Sequence, residues 1–251
     1  MFEARRLQHH IVSGYIQIVS DGHYLPAFWS HPDLGGPFPG LVLLHEYWGL
    51  TPHVRSQARR FAEMGYYVIA PDLFNGQTAD TEIQAQALMN QVGETMVSHS
   101  AAALHALKSH NRCNSKIGLV GWGMGAQVAL RTALVRDDLR ALVLFYGLPE
   151  QVMMAELRMM ACPMLAFFAA QDPDIPSEMV AKLRETVQQV NNDNEVVVYP
   201  DVSRGFFDDS RPSFHPVAAS DAWNRALEFL NTRLEVSEPP QTDIFNPGRV
   251  Y

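Results

Sequence analysis

The sequence is short of cysteine, of long apolar runs and of positive charge, and each shortage closes off a class of protein. Two cysteines, Cys113 and Cys162, among 251 residues cannot build a disulfide framework. Both are expected to be reduced thiols. No apolar run approaches the roughly 20 residues needed to span a bilayer, and no apolar stretch follows the opening MFEARRLQHH as it would in a secretion signal. A cytoplasmic protein without a membrane partner is the expectation. With 19 Lys and Arg against 27 Asp and Glu, the formal charge is -8 at pH 7, which repels the phosphates that basic clusters neutralise in nucleic-acid binding. Nucleic acid is not an expected partner. Internal repeats and low-complexity segments are also missing.

What is present is ordinary globular material. Hydrophobic residues make up 47% of the chain and charged residues 18%, enough for a large core in a length that α/β folds fill as one domain. The pattern predicts a hairpin first, Tyr15–Val19 and Tyr24–Trp29 across an Asp21-Gly22 turn. Leu41–Leu44 is apolar at every position, as expected of a strand buried on both faces. A helix opens at Thr51-Pro52, with Thr51 as N-cap, and stops at Gly65. Tyr66–Ala70 is the next strand, and Thr81–His110 reads as helix with a break at Gly93. Strands follow at Ile117–Val120, Ala141–Tyr146, Met164–Phe168 and Glu195–Tyr199. Helices are expected near Gly125–Val135, Ser177–Val190 and Val217–Leu234. Such alternation predicts an α/β fold: a mostly parallel sheet of about eight strands, helices on both faces, and ligands at the strands' C-terminal ends. Residues 1–234 are expected to form one domain. Residues 235–251, with three prolines, read as an extended tail and a candidate contact for a second copy of the chain.

The sharpest motif is Gly121-Trp122-Gly123-Met124-Gly125, between a predicted strand and a predicted helix. Glycines at the ends of such a pentad permit a tight strand-to-helix turn, whose centre ordinarily presents a strained, exposed Ser or Cys. Here the centre is Gly123. A dinucleotide loop is the weaker alternative. Ala126 stands where its last glycine belongs, Asp137 and Asp138 lie too close for its acidic partner, and about half the sheet precedes the motif.

Further pieces recur in a fixed order: His45-Glu46-Tyr47-Trp48-Gly49, Ala70-Pro71-Asp72-Leu73, Asp172-Pro173-Asp174-Ile175-Pro176, Tyr199-Pro200, Gly205-Phe206-Phe207, Arg211-Pro212-Ser213 and Ala222-Trp223. Together with the pentad, they make the chain resemble the dienelactone hydrolase family from about Tyr15 to Leu234. The resemblance implies the α/β-hydrolase fold and ester or lactone hydrolysis by a Cys or Ser, Asp, His triad. Carried over by motif, the nucleophile falls on Gly123, the acid on Asp172 and the base on Arg204. Only the acid is kept. Glycine has no atom with which to attack a carbonyl, and a guanidinium with a pKa above about 12 is no base at neutral pH.

The resemblance also implies an oxyanion hole from the backbone N–H groups of Tyr47 and Met124, which side-chain changes leave intact. Glu46 matches a glutamate that controls the family nucleophile; a plain ion pair is the other reading. Arg204 is expected to bridge to Asp172 and Glu46, with a clamp on a ligand carboxylate as the alternative. His45 is read first as a structural hydrogen-bonding residue and otherwise as a titrating group, and His215 as a surface or helix-leading residue. Trp48, Trp122, Phe206 and Phe207 are candidate pocket walls, with core packing as the equal alternative. Neither Ser203 nor Cys162 is placed to be a nucleophile. No metal-ligand spacing or complete cofactor fingerprint is evident. The expectation is a non-catalytic, small-molecule-binding relative of the hydrolases. The alternatives are a hydrolase in which Glu46, Asp172 or His45 activates water, and an interaction protein that dimerises through its tail.

Overall fold

The computed structural model describes residues 10–93, 95–149, 154–191 and 193–236. The first two strands, β1 (Ile11–Ser20) and β2 (His23–Pro32), form an antiparallel hairpin whose turn residues Asp21 and Gly22 both have positive φ, 51° and 79°. That pair of angles gives the turn a twist matching the strands. The remaining strands are β3 (Phe38–Leu44), β4 (Tyr67–Pro71), β5 (Cys113–Trp122), β6 (Leu139–Phe145), β7 (Met164–Ala169) and β8 (Glu195–Tyr199). They build one sheet in the order β1-β2-β4-β3-β5-β6-β7-β8. Pairing is antiparallel at β1–β2 and β2–β4 and parallel elsewhere.

Alternation along the strands builds a core on each side. Val42 and Leu44 of β3 face one core with Leu119, Leu142 and Ala166. That side is covered by α3 (Thr95–Ser109), α4 (Met124–Leu134) and α6 (Ser177–Val190). Leu41 and Leu43 face the other core with Val120, Val143 and Phe167, beneath α1 (Pro52–Glu63) and α7 (Pro216–Leu234). Each fully buried side chain of this size contributes about 1.5–3 kcal/mol, so both faces need their helices. This explains why the inner strands are apolar at every position. Two further helices are α2 (Glu82–Val92) and the short α5 (Met154–Leu157).

The expected long helix breaks at Gly93, φ 52°, into α2 and α3. Thr51 occupies the N-cap position of α1, but its side chain makes no cap hydrogen bond; Pro52 has no N–H to satisfy, which lessens the need for one. The full capping box lies at α2. There Thr81 accepts from the Gln84 N–H and the Gln84 side chain accepts from the Thr81 N–H. His215 caps α7 by accepting from the Ala218 N–H, 3.2 Å, as a helix-leading residue. Nearly all of the expected tail, residues 237–251, lies outside the described residues. Among the described residues, no helix is long and apolar enough to cross a membrane.

The topology brings four loops together. Those following β3, β5, β7 and β8 leave the same end of the parallel strands and carry Glu46, Gly123, Asp172 and Arg204 respectively.

Candidate functional site

The turn after β5 is held as tightly as the pentad implies. Gly123 has φ 51° and ψ -114°, a conformation that a side chain adopts only under strain. Its N–H donates to the Phe145 carbonyl at 2.9 Å, and its carbonyl accepts from the N–H groups of Ala126 and Gln127 at 3.1 and 3.2 Å. A Cβ on Gly125 would collide with the Leu44 carbonyl oxygen, so α4 starts directly against the end of β3. Above Gly123 the space is taken. A Cβ there would lie 2.7 Å from Cδ and 2.8 Å from Cγ of Glu46. The acidic side chain over the helix start also disfavours a phosphate, which removes the dinucleotide alternative.

Burial dominates the electrostatics of Glu46. It pushes the carboxyl pKa up to about 7, an effect that Arg204 and Arg211 oppose and Asp208 reinforces. Arg204 Nε stands 3.6 Å from Glu46 Oε1, and Nη1 stands 3.9 Å from Asp172 Oδ2 and 3.2 Å from Asp174 Oδ2. The expected bridge to Asp172 and Glu46 exists at ion-pair distance. Only Asp174, which the motif transfer did not single out, is close enough to accept a hydrogen bond. Asp172 is buried, accepts from the Asp174 N–H at 2.9 Å through Oδ1, and has its pKa raised by burial first of all. Three carboxylates around one guanidinium make a poor landing place for a ligand carboxylate.

His45 takes the structural hydrogen-bonding role. It is fully buried; its Nε2 accepts from the Leu73 N–H at 3.0 Å, so Nδ1 carries the proton and donates to the Glu46 carbonyl at 2.7 Å. Burial lowers its pKa and keeps it neutral. It is a strut between two loops. The side chains of Tyr47 and Met124 pack in one small apolar cluster with Leu73 and Phe74. Met124 is the first residue of α4, so its N–H has no acceptor within the helix. Phe206 and Phe207 are buried beneath the α7 face and belong to the core.

Trp48 and Trp122 do border a cleft. With Glu46, Gly49, Thr51, His53, Val54, Tyr146 and Asp208, they enclose a volume of about 270 Å³ including its open mouth, with space at its centre for little more than a water molecule. Arg211 stacks over Trp48 at 3.7 Å and lies 3.8 Å from Asp208. Motif reading missed His53, whose side chain is buried and whose Nδ1 lies 3.0 Å from Asp209 and 3.2 Å from Asp208. His53, Asp208 and Asp209 present one ligand atom each within 4.8 Å of one another, a spacing that also suits a metal ion. Residues so far apart in the chain leave no local signal.

Comparison with known proteins agrees with this architecture. The model of the Dienelactone hydrolase family matches residues 25–234. A Yersinia pestis protein named as a candidate carboxymethylenebutenolidase is 30% identical over 241 residues, covering 88% of this chain and 89% of that protein. A similarly named Escherichia coli K12 protein is 30% identical over 236 residues, covering 88% and 87%. A crystal structure described as a candidate dienelactone hydrolase from Klebsiella pneumoniae superposes with a TM-score of 0.77 at 27% identity, covering 88% of this chain and 98% of the other. A fold neighbour from metagenomic libraries, described as a dienelactone hydrolase-like promiscuous phosphotriesterase, has a TM-score of 0.79 at 20% identity, covering 89% and 98%. With the family model matched over residues 25–234 and relatives 30% identical over nearly their whole length, the chain belongs to the dienelactone hydrolase family.

Proposed function

We propose that this chain is a dienelactone-hydrolase-like protein that has given up covalent ester or lactone hydrolysis and keeps the pocket as a small-molecule-binding site. The observation that carries this is the Glu46 side chain, which fills the space of a nucleophile above Gly123. Arg204, at the base position, sits among three carboxylates, where it neutralises charge and accepts no proton. The surplus of carboxylates argues for a structural ion cluster and against a carboxylate clamp. Two buried free thiols, Cys113 and Cys162, support a reducing, cytoplasmic setting. The test is turnover of activated esters and lactones by the purified protein. Rates at the uncatalysed background support the proposal, and enzymatic turnover overturns it.

One observation favours a second reading, hydrolysis by activated water. A carboxyl with a pKa of about 7 has the poise of a general base at neutral pH, and Glu46 adjoins Tyr47, one of the two expected oxyanion donors. His45 has no part in it. On this reading Glu46→Gln abolishes whatever turnover is measured.

A further inference from the structure

The sheet has one guarded edge and one open edge. At the β8 end the strand is five residues long, begins with Glu195 in an ion pair with Arg225 at 3.0 Å, and has its Val196 carbonyl capped by Arg184 Nη2 at 3.1 Å. Short length and charged side chains keep an edge from pairing with another chain. At the other end, β1 has neither. Its ten residues, IVSGYIQIVS, include no charge and no proline, and all ten pair with β2 without a bulge. Among the described residues, no strand lies beyond it. The Asp21-Gly22 turn closes on Ser20 and His23, and the His10 carbonyl accepts from the Asp33 N–H at 3.0 Å, so the even-numbered residues of β1 direct their N–H and C=O groups to β2. Ile11, Ser13, Tyr15, Gln17 and Val19 direct theirs outward. The same alternation leaves Tyr15 and Val19 67% and 65% exposed, and Tyr24, opposite Val19 on β2, is 78% exposed. An apolar patch thus adjoins a row of unpaired backbone groups.

We infer that β1 pairs antiparallel with β1 of a second copy of this chain, about a two-fold axis at Tyr15. In that register Tyr15 meets the partner's Tyr15, Ser13 the partner's Gln17, and Ile11 the partner's Val19. Apolar residues meet apolar and polar meet polar, and the outward N–H and C=O groups of all five residues are paired. With a formal charge of -8 on each chain, two copies approach best along an edge that carries no charge. A second copy also closes the assembly, because pairing at β1 leaves only the guarded β8 edges outside. The edge is separate from the cleft, so pairing there does not depend on whether the cleft binds or hydrolyses.

The test is sedimentation velocity of the full chain over a concentration series, with amide hydrogen exchange followed in β1. The wild type is expected to dimerise, with the N–H groups of Ser13, Tyr15 and Gln17 protected in the dimer and exchanging freely on dilution. Tyr15→Lys and Tyr15→Glu each set like charges across the axis and are expected to weaken the dimer about tenfold, while an equimolar mixture of the two restores it. A wild type still monomeric at about 100 μM overturns the inference. So does protection of these amides in the monomer, where another segment of the same chain would be covering the edge. A dimer that neither variant weakens, or a mixture no more dimeric than its components, also overturns it. The exchange pattern needs no variant and decides the matter if either variant fails to fold.

Discussion

The Glu46 side chain stands in the space that a side chain on Gly123 would need, with its Cδ 2.7 Å from the position of a Cβ. Placing a serine at Gly123 therefore requires moving Glu46 away from Arg204. Gly123→Ser is expected to cost about 2 kcal/mol, from overpacking and from a side chain at positive φ. In a Glu46→Ala background the same change should cost about 1 kcal/mol less. Urea unfolding of the four-member cycle measures this, and strict additivity would contradict the contact.

The raised pKa of Glu46 makes stability depend on pH. Its folded pKa of about 7 lies above the ordinary 4.5, so the folded state holds the proton more tightly. The associated stability is fully present below pH 4.5 and is lost as pH rises to about 7. The wild type should lose on the order of 2–3 kcal/mol relative to Glu46→Gln across that window. A difference between the two proteins that is flat with pH would show that Glu46 is solvated.

Arg204 should behave as a structural cation. Arg204→Met leaves buried carboxylates without compensation and is expected to destabilise the protein by about 3 kcal/mol at pH 8. The loss should shrink at pH 5, where Glu46 is protonated. Unchanged stability at pH 8 together with weakened ligand binding would identify Arg204 as a clamp instead.

His45→Asn removes the strut between the β3 and β4 loops. Leaving the Leu73 N–H or the Glu46 carbonyl unpaired should cost about 2–3 kcal/mol by denaturant unfolding. Because burial lowers the His45 pKa below its ordinary 6.5, the wild type should also lose stability as pH falls below that value. The variant should lack this dependence.

The fold and the elbow were legible in the sequence because their causes are local. Leu41 to Leu44 are apolar at every position because β3 is covered on both faces, and the Gly121-to-Gly125 pentad is read from spacing alone. Motif order also brought Glu46, Asp172 and Arg204 to one end of the sheet. What stayed hidden depends on side-chain direction across the fold. Nothing in the chain tells that Glu46 lies over Gly123, that Asp174 is the nearest partner of Arg204, or that His45 turns inward to the Leu73 N–H. Phe206 and Phe207 look like pocket walls because aromatics suit walls and core alike, and the packing beneath α7 decided for core. His53 meets Asp209 across 156 positions, a contact that only tertiary structure creates.

On the proposed reading, this site forms no acyl-enzyme. This is tested most directly by intact-mass spectrometry after exposure to p-nitrophenyl acetate, followed by mapping of any adduct to its peptide. No acetylation is expected at residues 121–125 in the wild type, and an adduct is expected there when Gly123→Ser, Arg204→His and Glu46→Ala are combined. A stoichiometric, hydrolysable adduct on the wild-type protein would contradict it.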